Sequence, residues 1–466
     1  MMAAPEPGSE IDGFRLGELI HVGTMAWVYR LIGPDGPLPL IMKIPRLGAG
    51  ERAMNVVSFE QCRLVLGALA QGPHYPTLVA YGDVETTPYL VMEYIEGERL
   101  NEWTRRAPLQ PQEIARIGAA VALALHEIHR QDVIHLDLKS TNILFRHDGK
   151  AALVDFGLSH HGHYPDLLAE EFRYPVGNWE YMSPEQIFGI RCDPRSDIFS
   201  FGALLYELAT GQLPFGSPQS LSQLRGRLYG DAVPPAVRVA AVPAWLQEII
   251  LHCLEIDNRK RYESAERLAF DLANPSQVAL GERASRNRRT AWSTKLFRRM
   301  SLSNFAPAPC PALAVQSSDK SIVLVAIDCM QGEERLFEAL REAVRRKIAA
   351  DDQCRIACAV VVPPAAALEG EGEDATATGR HIKHAVMLRQ WAKPLELPDE
   401  RLTYHVLESD KPALALVDYA TANEVDEILI GAPHRLASVR LFLSVAESVV
   451  RDAPCSVKVV RARLPG

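Results

Sequence analysis

The hydrophobic pattern changes character twice along this chain. Between Phe14 and about Asn274 short β-like apolar runs come first, and patterns that recur every three to four residues dominate later. Strands should therefore precede helices in that stretch. Beyond Ser321 the order differs. Short apolar runs at 322–327, 355–362, 402–406, 427–430 and 456–460 read as strands, with helical stretches between them, the first at 333–347. Strands alternating with helices predict a parallel α/β sheet. The stretch from about Pro275 to Lys320 is rich in Arg and Ser and carries Ala-Pro-Ala-Pro-Cys-Pro, so it reads as a linker. The first dozen residues read as a flexible tail.

Bulk properties narrow the class. At 466 residues the chain is too long for one ordinary domain. With 47% hydrophobic and 23% charged residues it has the make-up of a soluble globular protein, and a net charge of −8 gives no global nucleic-acid signature. No apolar run is long enough to span a bilayer, and the start does not read as a signal peptide. The eight cysteines are scattered without a Cys-x-x-Cys pair, which suggests free thiols in a reducing compartment.

The chemistry concentrates in Val-Ile-His-Leu-Asp137-Leu-Lys139-Ser-Thr-Asn142-Ile-Leu-Phe. Asp137 can accept a proton from an attacking hydroxyl, Lys139 can steady a γ-phosphate, and Asn142 can hold a metal ion. Soon after comes Leu-Val-Asp155-Phe-Gly, a second metal-binding carboxylate where a strand leaves for a loop. This ordered pair resembles the catalytic loop and Asp-Phe-Gly motif of the bacterial eukaryotic-like (Hanks-type) serine/threonine protein kinases. The resemblance covers about 14–274 and implies a bilobal α+β fold, with lobes at about 14–93 and 96–274.

Further residues match by resemblance. Lys43, in the strand-like run Leu-Ile-Met-Lys-Ile, would grip the α- and β-phosphates and be held by Glu60 on the next helix. Val22, Gly23 and Val28 would line the nucleotide, the backbone at Glu93 and Ile95 would bond adenine, and Met92 would stand behind it. Glu185, in Tyr-Met-Ser-Pro-Glu, would pair with Arg261, and Asp197 would tie down the catalytic-loop backbone. The implied cofactors are ATP and Mg²⁺, or Mn²⁺ in its place.

Three positions depart from the family pattern. In the phosphate loop only Gly23 remains, with His21 and Ala26 at the other glycine positions, so weaker ATP binding is expected. Leu136 replaces the Arg that would pair with an activation-loop phosphate, and Ser159 is the only Ser or Thr between Gly157 and Gly177, so control by phosphorylation there is not expected. Asn178 stands where a Thr hydroxyl would bridge Asp137 and Lys139, and its amide could do the same work. His160, His161 and His163 sit in this loop with Asp166 and read as a solvated cluster, a pH or metal sensor being the rarer reading.

In the linker Trp292, Leu296, Phe297 and Met300 recur at helical spacing within a basic run. This helix is expected to pack on its own catalytic unit, with a membrane surface or a groove as the alternatives. Ser301, Thr290, Ser293, Thr294 and Ser303 are candidate autophosphorylation sites. From about 321 to 462 the apolar run ending at Asp328, then Gly431 and Ser444, resemble a universal stress protein domain with a Rossmann-like parallel sheet. His434 occupies the second glycine position of that family's phosphate motif, so a dimerisation module, pairing through 457–460, is favoured over a nucleotide site. The chain as a whole reads as a cytoplasmic ATP-dependent serine/threonine kinase acting on protein hydroxyls and on itself, joined to a stress-sensing or dimerising domain. Its partners would be protein substrates and a second copy of itself, with no nucleic acid and no integral membrane segment. A nucleotide-binding pseudokinase is the alternative.

Overall fold

The computed structural model describes residues 4–33, 38–47, 54–83, 86–164, 166–168, 175–288, 294, 298, 321–328, 334–363, 377–398, 401–432 and 443–461. The N-terminal lobe is an antiparallel sheet. Strands β1 (Phe14–Val22), β2 (Ala26–Ile32) and β3 (Leu40–Pro45) follow one another, helix α1 (Met54–Ala68) intervenes, and β4 (Leu78–Gly82) and β5 (Tyr89–Glu93) complete it. The spatial order is β1-β2-β3-β5-β4, with the short pair Glu10–Ile11 outside β1. Leu16, Tyr29, Met42, Ile44, Tyr89 and Val91 are buried together on one face, as alternation along paired strands requires.

The second lobe is mainly helical. Helix α2 (Pro111–His129) opens on a proline at its first turn, and Ile114, Ile117, Val121, Leu125 and Ile128 recur at helical spacing and are buried. A hairpin of β6 (Ile143–Phe145) and β7 (Ala151–Leu153) brackets the chemistry-bearing loops. Helix α3 (Arg195–Thr210) crosses α4 (Ala244–Cys253) closely. A Cβ on Gly202 would lie 2.4 Å from that of Cys253, so only glycine fits there. Helix α5 (Ala265–Ala273) closes the bundle, with Leu268 and Leu272 buried.

The C-terminal unit comprises β8 (Ile322–Ala326), α6 (Glu334–Ala350), β9 (Arg355–Val362), α7 (Ala377–Ala392), β10 (Leu402–Glu408), α8 (Pro412–Ala422), β11 (Glu427–Gly431), α9 (Leu443–Asp452) and β12 (Ser456–Val460). All strand pairs are parallel, in the order β10-β9-β8-β11-β12. Both faces are covered. Val323, Val325, Ile356, Cys358 and Val360 meet Leu340, Val344, Leu388 and Trp391 on one side. Leu324, Ala357, Ala359, Ile428 and Ile430 meet Leu416, Tyr419 and Val449 on the other. Burial on both faces is why these strands read as continuous apolar runs rather than alternating ones. The five strands fall where the sequence pattern puts them, and α6 runs to Ala350, three residues beyond the expected end at Lys347.

Cys62, Cys253, Cys354, Cys358 and Cys455 are free thiols, four of them buried, whereas Cys192 departs from that expectation and is disulfide-bonded. No helix among the described residues is long and apolar enough to cross a membrane.

Candidate active site

Asp137 sits in a loop held from three sides. The buried Asp197 carboxylate, at the start of α3, accepts the His135 N–H at 2.8 Å and the Leu136 N–H at 2.9 Å. His129 Nε2 contacts the same carboxylate at 2.9 Å. Gln186 donates its side-chain N–H to the Leu136 carbonyl at 2.9 Å. These bonds hold Leu136 at φ 61°, a left-handed backbone that an unsupported leucine avoids. Asp197 therefore positions the loop as the sequence reading expects. Asp197→Ala should leave the chain folded but lower kcat by about 10²-fold, the cost of displacing a reacting group by about 1 Å. Near-normal turnover in steady-state assays of that variant would contradict the role.

The sequence reading places Lys139 and Asn142 beside Asp137, and the structure does so too. Lys139 Nζ lies 2.6 Å from Asp137 Oδ2. Asn142 Nδ2 donates to the Asp137 carbonyl at 3.0 Å and to Oδ2 at 3.1 Å, which turns its amide oxygen away from Asp137. Asp137 is 7% exposed, so its carboxylate is fixed rather than swinging in solvent. Asn178 reaches this site differently from expectation. Its backbone N–H, not its side chain, donates to Asp137 Oδ1 at 3.2 Å. Its side-chain oxygen instead accepts the Glu180 N–H at 3.0 Å, the local turn bond that Asn favours.

Across the cleft, Lys43 on β3 pairs with Asp155 at 2.6 Å. Burial would lower the Lys43 pKa, but the Asp155 charge, with smaller effects from Cys62 and Asp137, holds it above its ordinary value. The Lys43 charge in turn keeps the Asp155 carboxyl well below the usual range, against its own desolvation. Asp155 adopts φ 68°, ψ 72° at the entry to a tight turn over Phe156–Leu158. Phe156 is fully buried against His135, and Gly157 lies against α1 so closely that a Cβ would fall 2.1 Å from Ser58 Oγ.

Glu60 is not where the sequence reading places it. It meets Arg63 on its own helix at 3.1 Å and Arg389 of α7 at 2.6 Å, rather than Lys43. Burial would raise its pKa, but the Arg389 and then the Arg63 charges hold it below the ordinary carboxylate value. On α1 it is Cys62 that lies near Lys43 and the Phe156 backbone, and burial pushes that thiol up to about 11.

The upper rim of the cleft is the β1–β2 turn. Val22 is exposed, Ala26 is buried, and the Gly23 N–H donates to the Ala26 carbonyl at 2.9 Å. Val28 pairs with Lys43 in the neighbouring strand. Arg46, which no sequence signal singled out, donates to the Gly23 carbonyl at 3.2 Å and tethers the turn to the end of β3. At the crossing between lobes the Glu93 N–H donates to Thr77 O, and its side chain pairs with Arg146 at 2.5 Å. The N–H of Ile95, a residue 4% exposed, meets no acceptor among the described residues. A backbone donor with no partner among the described residues suits an adenine ring, whose nitrogens accept hydrogen bonds.

The segment after Gly157 is more ordered than a solvated loop. Ser159 is fully buried and donates to the His135 carbonyl at 3.1 Å, so its hydroxyl is structural. His163 meets Asp132 at 2.7 Å, and His161 is buried with its pKa pushed down to about 3, mainly by desolvation. His161 stays neutral through the physiological range, which removes it as a pH sensor. Among the described residues no group of three His, Cys, Asp or Glu could hold a metal ion. Past this segment Glu185 and Arg261 form a bidentate pair at 2.6 and 2.9 Å with side chains 1% and 0% exposed.

A protein kinase domain model matches residues 69–271, and a universal stress protein family model matches residues 321–461. The chain carries a protein kinase domain and a universal stress protein domain. Serine/threonine-protein kinase PknB of Mycobacterium tuberculosis is 28% identical over 274 residues, 57% of this chain and 43% of that protein. A Clostridium acetobutylicum protein named "Probable serine/threonine-protein kinase CA_C1728" is 32% identical over 262 residues, 56% of this chain and 39% of that protein. The matched stretch thus spans about two fifths of these relatives' length. A crystal structure of the Mycobacterium tuberculosis PknI kinase domain has a TM-score of 0.45 at 18% identity, covering 59% of this chain and all of that one.

In the stress-protein domain Gly431 ends β11 against Leu336, and a Cβ there would fall 2.9 Å from that side chain. His434 lies outside the described residues, as do Thr290, Trp292, Ser293, Leu296, Phe297, Met300, Ser301 and Ser303 of the linker. Of the linker's basic run, Arg298 pairs with Asp231 of the kinase domain at 2.8 Å.

Proposed function

We propose that this chain is an ATP-dependent serine/threonine protein kinase. The observation that carries the reading is the Asp137 site, in which one carboxylate is fixed by Lys139, Asn142 and the Asn178 backbone, opposite the Lys43–Asp155 pair. Mg²⁺-ATP would supply the phosphoryl group for transfer. The Glu93 and Ile95 backbone, with Val22, Gly23 and Val28, would hold the nucleotide, Lys43 its phosphates, and Asn142 and Asp155 the metal ion. Asp137 orients the acceptor hydroxyl and takes its proton, while the Lys139 ammonium balances the charge that develops beside it. The pseudokinase alternative finds no support, because Lys43, Asp137, Asn142 and Asp155 are all retained, Lys43 paired with Asp155 and Asn142 bonded to Asp137.

We also infer a cytoplasmic setting, self-phosphorylation in the linker, and dimerisation through the edge strand β12, where Val459 is 39% exposed. Incubating the full chain with γ-labelled ATP, Mg²⁺ and a generic protein acceptor tests the main reading. Label should appear on serine or threonine. Label only on tyrosine or on a small hydroxyl compound would refute it. Phosphopeptide mapping that finds 290–303 unmodified would remove the self-phosphorylation, and sedimentation of the full chain as a monomer would remove the dimer.

A further inference from the structure

The segment after the Asp-Phe-Gly turn is held by one buried carboxylate. Arg191 Nε donates to Asp166 Oδ2 at 2.6 Å, and the same guanidinium donates to the Leu158 carbonyl at 2.9 Å and the Ser159 carbonyl at 3.3 Å. Asp166 Oδ1 accepts the Leu168 N–H at 3.1 Å, and His160 Nδ1 stands 3.7 Å from Oδ2. The side chains of Arg191 and Asp166 are 10% and 9% exposed. Burial would raise the Asp166 pKa, but the Arg191 charge holds it below the ordinary carboxylate value, so the group is charged at neutral pH.

The C-terminal domain closes this anchor from outside. Asn423 caps α8, and its side-chain N–H bonds back to the Tyr419 carbonyl at 3.0 Å. That leaves Asn423 Oδ1 to accept the Asp166 N–H at 2.7 Å. Two residues before Asp166, the Tyr164 ring receives the Arg355 guanidinium of β9, 3.9 Å from its centroid. Packing connects the anchor to the reacting groups. Leu158, Leu167 and Leu168 are buried with Val57 and Leu64 of α1, and Val176 packs against them. Two residues beyond Val176, the Asn178 N–H holds Asp137.

Kinases controlled at this segment order it with a phosphate paired to arginine. Here Ser159, the only Ser or Thr between Gly157 and Gly177, is buried and bonded to the His135 carbonyl. A carboxylate–guanidinium pair forms without any modification. We propose that Asp166 is a positioning residue for phosphoryl transfer, its carboxylate doing on Arg191 what a phosphate does in those kinases, with Asn423 of the stress-protein domain as the clamp that keeps it there. This rests on the kinase reading above. The docked C-terminal domain thus supports transfer, through the Asp166 segment, without touching the nucleotide side of the cleft.

The test uses the full chain. Asp166→Asn keeps the size and the backbone bond to Asn423 and removes the charge. Its kcat with a protein acceptor should fall by about 10²-fold, the cost of misplacing a reacting group by about 1 Å, with KM for ATP unchanged. Asp166→Glu, which restores the charge, should recover part of that loss. Asn423→Ala lies outside the kinase domain and guards against misfolding of the first variant. It should lower kcat by about 5-fold or more, the lower end of couplings between sites, and quicken hydrogen exchange across residues 156–164. If wild type transfers phosphate and Asp166→Asn matches it, the positioning role is wrong and the kinase reading stands. If Asp166→Glu is as slow as Asp166→Asn, or if ATP affinity falls in step with kcat, the residue serves packing and the role is equally wrong. If Asn423→Ala changes neither rate nor exchange, the clamp is wrong. If wild type transfers no phosphate, the kinase reading falls and this role with it.

Discussion

Replacing Arg261 with alanine should be the most destabilising single change outside the hydrophobic core. The Arg261 guanidinium makes two hydrogen bonds to Glu185 and one to the Arg195 carbonyl, and it packs over the Phe199 ring at 4.9 Å from the centroid. Removal leaves the Glu185 carboxylate at 1% exposure with, among the described residues, only the Ser196 hydroxyl, at 2.7 Å, as a neutral partner. Breaking a buried pair from one side costs about 3–5 kcal/mol, a large share of the 5–15 kcal/mol that holds a typical domain together. Urea unfolding of the full chain should show that loss. The double variant Glu185→Leu/Arg261→Met should be less damaging than Arg261→Ala, because no charge is left buried. Equal losses would mean that packing, not the unpaired charge, sets the cost.

The second large effect is expected at Lys43. Lys43→Met removes the only positive charge within ion-pair distance of Asp155 among the described residues. Transfer should fall by about 10²–10³-fold, the range seen when one preorganised charge-stabilising group is lost. The change should be mainly in turnover, with only a small loss of stability, since the Asp155 side chain of the pair is 45% exposed. The pH response gives a second readout. Asp155 has a lowered folded-state pKa, so its pairing adds stability that is present above the ordinary carboxylate pKa and lost on acidification through the folded value. Lys43→Met should shrink that acid-side loss. A variant with wild-type turnover and an unaltered acid limb would show the pair to be incidental.

The candidate catalytic residues are legible because their chemistry is local. Asp137, Lys139 and Asn142 lie within six residues of one another, and a short loop after β-structure forces them together. The Glu185–Arg261 pair and the Asp197 anchor were also legible, through matched motifs at a distance. What was not legible depends on shape. Nothing in the run around Arg389 marks it as a partner for Glu60, because an interdomain ion pair leaves no periodicity and no spacing. The sequence points to the Asn178 side chain, while its backbone N–H, which any residue offers, makes the bond to Asp137. The histidines were expected in a solvated loop because polar runs usually are. His161 is instead buried, with its ring edge-on to Tyr164.

The proposed function depends most on Asp137 orienting the hydroxyl that receives phosphate. The measurement closest to it is single-turnover transfer from pre-bound, γ-labelled ATP to a serine-containing protein acceptor, comparing wild type with Asp137→Asn at matched nucleotide occupancy. Asparagine keeps the size and the bond from Lys139 but cannot take a proton. The rate of transfer should fall by about 10²–10⁴-fold with ATP binding unchanged. Transfer at the wild-type rate by Asp137→Asn would contradict it.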